Sequence, residues 1–478
     1  MYKQYIGGKL AEGRGAKIDV TNPANDALIA SYSGADAAQA QEALQAAAEA
    51  FKTFRGLPLP VRLGYLAKLR EAMLENMDHI VELDSLESGK PHQEAVLDFW
   101  MGVGCIEYYS EEVKRIQGQS LQDLYGPRGA GYNIVERRPV GVVVAHLAWN
   151  FPLLNIMCKL PPAVASGCAC IIKPSVNTPL ASLFIGELCE KIGFPAGAVN
   201  IISGPSSVLG KELNSSTIPR LLTCIGSAET GKQIMQQGST SVKSYSLELG
   251  GNAPCIVMPD ADLEAAVDAI VSQKYANAGQ VCVNYNRVFV HKDVYDRFLQ
   301  LTADAVKKVK VGAMNEYPGE NVMGPIITRE ARDKALAMID DAVKKGARLL
   351  AGGTVPEGRE KGNWLTPTLL ADCADSMRVF QEEQFAPILA VTSFTDLDDT
   401  LRRAVDTEYG LRSYLYTHDA RVIGKCFERF ESGVIVVNNA SGGPNVPHVG
   451  IKGSGVLCGT SSYGLNNYYD LRVLCLKP

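Results

Sequence analysis

Val140-Gly141-Val142-Val143-Val144-Ala145 and Cys168-Ala169-Cys170-Ile171-Ile172 are short apolar runs bounded by proline or glycine, the form that buried strands take. Val199-Asn200-Ile201-Ile202 and Leu221-Leu222-Thr223-Cys224-Ile225 are two more. Segments of helical periodicity lie among them, at about 153–166, 179–192, 205–213 and 228–236. Strand and helix alternate, which predicts a parallel sheet covered on both faces. A second series follows Gly250-Gly251-Asn252: Pro254 to Met258, Arg287 to Val290, Leu349 to Ala351, Ile388 to Val391 and Gly433 to Val437, again separated by helices. The sequence therefore predicts two α/β halves joined near residue 250.

Upstream, residues 36 to 56 are alanine-rich with apolar positions at helical spacing. A second amphipathic pattern runs from Pro60 to about Ser88, with Leu63, Leu66, Leu69 and Met73 on one face, and a third from Gln93 to about Gln117. These three predict a helical layer packed on a sheet whose strands come later. Gln117 to Arg138 is polar, glycine-containing and weakly periodic, and reads as an excursion from the compact chain. Asn467 to Lys477 is β-rich after a glycine-filled loop; it is either a strand pairing away from its own domain or an edge strand of the second half.

The chain has 478 residues, which at the usual size of a domain allows about three structural units. Its formal net charge of −5 excludes electrostatic nucleic-acid binding as the main function. The opening MYKQYIGGKL lacks a basic segment followed by an apolar one, and the most apolar stretch, Val140 to Ile172, is interrupted by Asn150, Lys159, Pro152, Pro161 and Pro162. A soluble, cytoplasmic protein without membrane partners is expected. Twelve cysteines include no CxxC pair, and Cys168 and Cys170 have no histidine nearby, so no metal site is expected. Most of the thiols should be buried in a reducing compartment; one does chemistry only where its surroundings favour the thiolate.

Two segments resemble phosphate loops. Gly226-Ser227-Ala228-Glu229-Thr230-Gly231-Lys232 fits GxxxxGK, but Gln233 stands where magnesium needs a hydroxyl. Gly204 to Lys211 has one spacer residue too many. With Asp260 at the end of an apolar run, a P-loop nucleotide-binding protein is a rival reading. The alternative is that both segments are strand-to-helix turns near a dinucleotide, because a helix N-terminus holds pyrophosphate without a magnesium hydroxyl. GxGxxG itself is absent.

Further on come Trp149-Asn150-Phe151-Pro152, Lys173-Pro174-Ser175, Leu247-Glu248-Leu249-Gly250-Gly251-Asn252, Asn277-Ala278-Gly279-Gln280-Val281-Cys282 and Glu382-Glu383-Gln384-Phe385-Ala386-Pro387. In this order, with Thr21 to Asn25 and Glu87-Ser88-Gly89-Lys90-Pro91 ahead of them, they resemble the NAD(P)-dependent, non-phosphorylating aldehyde dehydrogenase superfamily over essentially the whole chain. The resemblance implies an α/β fold with a Rossmann-like cofactor domain (1–118 and 139–248), an α/β catalytic domain (249–455) and a small β oligomerisation arm (119–138 and 456–478). It also implies a homodimer or homotetramer, and oxidation of an aldehyde to the carboxylate.

A carbonyl must become tetrahedral before it can release hydride, so the chemistry needs a strong nucleophile. Cys282 is the candidate; a thiol of ordinary pKa, about 8.5, is only slightly ionised at neutral pH. Glu248 would be the general base, first for Cys282 and then for the water that hydrolyses the thioester. The Asn150 amide and the Cys282 backbone N–H would hold the oxyanion, and Lys159 would steady that network. On the cofactor side the resemblance implies Lys173 and Ser175 near the adenine ribose, Gly226, Ser227 and Trp149 at the pyrophosphate, Leu249 alongside, and Glu383 and Phe385 at the nicotinamide end.

Departures from the family pattern carry information. Val176 stands where NAD-preferring members often have glutamate, so NADP is expected to be accepted at least as well as NAD. Ala386 replaces a usual glycine, and Cys224-Ile225 replaces Phe-Thr. The succinate-semialdehyde branch places arginines where this chain has Cys158 and Ala276. A small polar or acidic aldehyde is nonetheless expected, with Asn155, Arg412 and His448 as polar pocket candidates. The alternatives are a CoA-acylating semialdehyde dehydrogenase, against which Glu248 argues, and a non-catalytic structural relative, against which the intact Cys282, Glu248 and Asn150 argue.

Overall fold

In the computed structural model, which describes residues 2–125, 131–318, 322–439 and 442–476, the four apolar runs that open the first series lie side by side in one sheet. Its order is Lys9–Ala11, Gln4–Ile6, Val199–Ile201, Ala169–Lys173, Val142–His146, Pro219–Ile225, Ser244–Glu248 and Gly455–Val456. The five central strands are parallel. Taken in chain order their arrangement is 3-2-1-4-5, so the direction of winding reverses between Val142–His146 and Pro219–Ile225. In open α/β sheets ligands bind at such a reversal, outside the carboxyl ends of the strands.

Alternation along each strand sorts its side chains between two layers. Val142, Val144, Ala169 and Ile171 pack with Ala40, Ala43, Leu44 and Ala47 of the helix Ala37–Phe54. That helix opens on a capping box between Asp36 and Gln39. Val143, Ala145, Cys170 and Ile172 face the other way, into a core built from the helices Leu59–Glu75, Met77–Ser88, His92–Glu112 and Leu180–Lys191.

The second sheet runs Arg348–Ala351, Thr368–Ala371, Ile388–Phe394, Tyr285–His291, Ala253–Val257, Arg412–Tyr416 and Val434–Val437, parallel except for its first pair. The chain then returns to the first half. Ile451–Lys452 pairs with Tyr409–Gly410, and Gly455–Val456 pairs antiparallel with the strand that ends in Glu248.

Several expectations need correction. The pattern from Pro60 to Ser88 is two helices, broken at Asn76, whose Nδ2 turns back to the Ala72 carbonyl. The 153–166 segment is also two, Pro152–Met157 and Leu160–Ser166, separated at Cys158 and Lys159. Four short strands precede the helices. Gln4–Ile6 and Lys9–Ala11 extend the first sheet, and Lys17–Thr21 pairs with Leu28–Ser33. The C-terminal strand Tyr469–Leu476 is not an edge of the second sheet. It pairs along its whole length with Tyr132–Pro139, which in turn pairs with Gln119–Gln122. Leu121, Tyr132, Ile134, Leu471, Val473, Leu474 and Leu476 of this ribbon are exposed. Residues 126–130 and 477–478 of the expected arm lie outside the described residues. Among the described residues no helix is long and apolar enough to cross a membrane.

Candidate active site

The carboxyl ends of the first sheet face the amino ends of the second. Trp149 and Asn150 follow one strand of the first sheet, Gly226 and Ser227 follow another, and Glu248 ends a third. Cys282 precedes the strand Tyr285–His291, and Glu383 and Phe385 precede Ile388–Phe394. A cavity of about 300 Å³ is lined by Trp149, Asn150, Glu248, Leu249, Cys282, Glu383, Phe385 and His448, together with Gly226, Ser227 and Lys334. A second compartment, of about 270 Å³, is lined by Lys173, Ser175, Val176, Ser206, Thr230 and Gln233. Trp149, Gly226 and Ser227 line both, so the two form one cleft at the point of strand reversal.

The loop before Cys282 is held in an unusual shape. Asn277, Ala278 and Gly279 are consecutive left-handed residues, and a Cβ at 279 would overlap the Ala386 carbonyl. Hydrogen bonds of four side chains, Glu94, Asn277, Gln280 and Tyr414, compensate for the strain. Asn277 N–H donates to both oxygens of Glu94, at 2.8 and 3.0 Å, and its Nδ2 donates to the Asn150 carbonyl at 2.9 Å. Gln280 accepts the Ile327 N–H through Oε1, at 2.9 Å. The Tyr414 hydroxyl donates to the Val283 carbonyl at 2.5 Å.

Burial pushes the Cys282 thiol up to about 12; Glu383 adds to that, while Arg412 acts in the opposite direction. Asn150 Nδ2 donates to the Gln280 carbonyl at 3.1 Å, which uses one of its two N–H groups and leaves the other. Lys159 stands in the break between its two short helices, and its Nζ donates to Glu248 Oε1. Burial works against the Lys159 ammonium, but the Glu248 carboxylate together with Cys158 and Cys224 holds the group above its ordinary range. A Cβ at Gly459 would overlap the Glu248 carboxyl.

At the other compartment, Lys173 Nζ donates to Ser206 Oγ at 2.9 Å, and burial brings its ammonium down to about 8. Ser227 caps the helix Ala228–Gly238 by accepting the Thr230 N–H at 3.1 Å. Leu249 packs where a Cβ at Gly231 would otherwise lie, at 2.7 Å. Glu383 accepts the Gly251 N–H at 2.8 Å, and burial raises its carboxyl to about 7. Trp149 and Phe385 meet edge to face, 5.4 Å between centroids. Val176 lines the Lys173 compartment, where no aspartate or glutamate stands among the described residues.

The P-loop reading fails on placement. Lys232 is exposed on its helix and does not line the compartment, although Gln233 does. Asp260 is occupied in holding Thr417, His418 and Asp419. Of the polar pocket candidates, His448 lines the cavity, and burial lowers its imidazole. Asn155 is buried behind Asn150, donating to the Ala148 carbonyl and to Asn150 Oδ1 at 3.1 and 3.4 Å. Arg412 is not in the cavity wall; it begins the strand beside it. Glu94, Tyr414 and Gly459 escaped sequence reasoning. Glu94 carried one signal, its place three residues past the Glu87–Pro91 segment.

The aldehyde dehydrogenase family model matches residues 10–474. The glutarate-semialdehyde dehydrogenase of Pseudomonas putida is 37% identical over 99% of this chain and 97% of its own. The NADP(+) succinate-semialdehyde dehydrogenase of Escherichia coli is 37% identical over 98% of this chain and 96% of its own. Among solved structures, a 3,6-anhydro-L-galactose dehydrogenase in complex with NAP superposes with a TM-score of 0.95 at 33% identity, covering 99% of each chain.

Proposed function

Because the chain belongs to the aldehyde dehydrogenase family, we propose that it oxidises a small acidic aldehyde, such as a semialdehyde, to the carboxylate with NADP or NAD. The observation that carries this reading is the convergence of Cys282, Asn150 and Glu248 on one cavity continuous with a switch-point cleft. Two relatives act, by name, on semialdehydes.

Cys282 Sγ adds to the aldehyde carbon, and Glu248 takes the thiol proton directly or through water. The free N–H of Asn150 and the Cys282 backbone N–H hold the oxygen that becomes negative; one such donor contributes roughly 3–4 kcal/mol. Lys159 Nζ, donating to Glu248 Oε1, holds that carboxyl in position. The bound dinucleotide supplies the hydride acceptor. Once oxidised, the adduct is a thioester on Cys282; Glu248 then removes a proton from water, which attacks that carbon, and Cys282 leaves as thiolate. Water rather than CoA is the acceptor because the carboxylate faces the cavity.

The groups present fit a dinucleotide. The helix opening at Ala228 offers unpaired N–H groups and the positive end of its dipole, Lys173 a cation, and Glu383 an acceptor for ribose hydroxyls. Val176, with Lys173 and Ser175 in the same wall, leaves a 2′-phosphate unopposed. In this reading 1–118 with 139–248 form the cofactor unit and 249–455 the catalytic unit. The ribbon of Gln119–Gln122, Tyr132–Pro139 and Tyr469–Leu476, within the expected arm of 119–138 and 456–478, joins copies of the chain into a dimer or tetramer through its exposed apolar side chains. Twelve unpaired cysteines fit a reducing cytoplasm.

The test is a panel of aldehydes with each cofactor, following reduced nicotinamide and the acid product together. Acid and reduced cofactor should appear in equal amounts and vanish in the Cys282→Ala protein. Reduced cofactor without free acid, or turnover surviving that substitution, would overturn the reading.

A further inference from the structure

We infer that Asp98 is a positioning residue for the reaction: it fixes where Asn150 presents its free N–H to the oxygen that becomes negative. This rests on the aldehyde-oxidising reading above and adds to it a residue that lies outside the cavity wall.

Asn150 is followed almost at once by the helix Pro152–Met157, which opens without a cap of its own. Its first residue is a proline, which has no N–H, and Phe151 before it supplies no side-chain acceptor. The acceptor comes from another helix. Asp98 of His92–Glu112 takes the Leu154 N–H on Oδ1 at 2.8 Å. Its other oxygen is held by Lys90, whose Nζ donates to Oδ2 at 2.8 Å and lies over the Phe151 ring, 4.6 Å from its centroid. Both side chains of this pair are wholly buried. The pair therefore grips the chain at 151 and at 154, just after Asn150. One residue further, Asn155 donates to Asn150 Oδ1 at 3.4 Å, so a shift of this short helix passes directly to the amide that carries the free N–H.

The same face of His92–Glu112 reaches the nucleophile. Glu94, one turn before Asp98, holds the Asn277 N–H. Gly102, one turn after, lets the Leu153 carbonyl approach so closely that a Cβ there would lie 3.1 Å from it. One helix thus sets the spacing between the Cys282 loop and the Asn150 segment. Oxyanion stabilisation depends on donors that are in place before charge develops, and a misplacement of about 1 Å costs on the order of a hundredfold in rate. An aspartate serving only as an ion-pair partner would turn both oxygens to Lys90; here one of them holds the backbone that carries Asn150.

The test is a double-mutant cycle on the full-length enzyme, with whichever aldehyde of the panel above is oxidised fastest and with saturating cofactor. It reads the rate of the first turnover, in which the oxyanion forms, and the cofactor Kd from quenching of tryptophan fluorescence. Asn150→Ala should slow the first turnover by about a hundredfold or more. Asp98→Leu should slow it by about tenfold to a hundredfold, and Asp98→Asn, which keeps an acceptor for the Leu154 N–H, by less. Cofactor Kd should change by less than about threefold in each. In the Asn150→Ala protein, adding Asp98→Leu should cost less than about threefold more, because the group it positions is gone. Losses that multiply across the two sites, or Asp98 variants with the parent's first-turnover rate, would overturn the assignment of Asp98 and leave the reading in place. If Asn150→Ala itself keeps the parent's rate, the oxyanion donor of the reading falls, and Asp98 with it. Should Asp98→Leu fail to fold, the same cycle is run with Asp98→Leu and Lys90→Met together, which leaves no ammonium without its partner.

Discussion

Gly459 lies flat against the carboxyl of Glu248, in a space that any side chain would fill. That space is where the carboxylate rests on Lys159. Gly459→Ala should push Glu248 off its partner and leave a buried ammonium uncompensated. Overpacking alone costs about 1–3 kcal/mol, and a broken buried pair costs more. A lower thermal midpoint is expected, and a changed ratio between the first turnover and the steady state. An alanine protein with the parent's midpoint and rates would mean that Glu248 has another resting place of equal energy.

Glu248→Gln keeps the shape of the side chain and removes the base. The expected time course is a burst of reduced cofactor followed by a slow steady state, because the thioester forms but awaits activated water. Stopped-flow absorbance reads both phases. An unchanged steady state across neutral pH would assign the water to another group.

Val176→Glu puts a carboxylate into a wall that has none among the described residues. Glutamate accepts hydrogen bonds from ribose hydroxyls, each charge-assisted bond contributing roughly 1.5–3 kcal/mol, and repels a 2′-phosphate. The ratio of kcat/KM values should shift toward NAD by about tenfold or more, a tenfold step being about 1.4 kcal/mol. A parent enzyme that used NAD a hundredfold better than NADP would contradict the argument from Val176.

Burial raises the Glu94 carboxyl from 4.5 to about 7, although the Asn277 N–H and Lys90 oppose this. A carboxyl raised by folding binds its proton more tightly in the native chain, so its contribution is full below about pH 4.5 and lost as pH rises through about 7. Glu94→Gln should flatten that decline, which thermal midpoints measured across the interval will show. A parent whose midpoint does not fall relative to the glutamine protein would exclude Glu94 as its source.

Leu471 and Val473 are 66% and 54% exposed and lie on one face of the C-terminal strand. The intact protein should scatter light as a multimer at micromolar concentration. Leu471→Glu with Val473→Lys should shift it toward monomer. An intact protein that is already monomeric would remove the arm as an assembly surface.

What could be read without coordinates follows from physics that is local in sequence. Val142–His146 and Ala169–Lys173 are buried on both faces, so they carry unbroken apolar runs that stand out between helices. Lys9–Ala11 lies at a sheet edge with no buried residue, and has no such signature. The Cys282 and Glu248 segments were recognisable because several short motifs occur in a fixed order. Gly459 was not, because the need for a glycine there is set by a side chain on a distant strand. Asn155 looked like any polar residue near a pocket; only the three-dimensional arrangement reveals that it supports Asn150 from behind.

The ribbon of Gln119–Gln122, Tyr132–Pro139 and Tyr469–Leu476 sets a timetable for manufacture. On the ribosome, Tyr132–Pro139 emerges hundreds of residues before the strand that will cover its long edge. The Glu248 strand must likewise wait for Gly455–Val456. Domains usually fold as they emerge, but here neither the first sheet nor the ribbon can close until the last stretch of chain has been translated. A premature stop just short of Tyr469 would therefore release a nearly complete polypeptide with a bare strand edge along Tyr132–Pro139, a species suited to pairing with its own kind and to capture by chaperones and proteases.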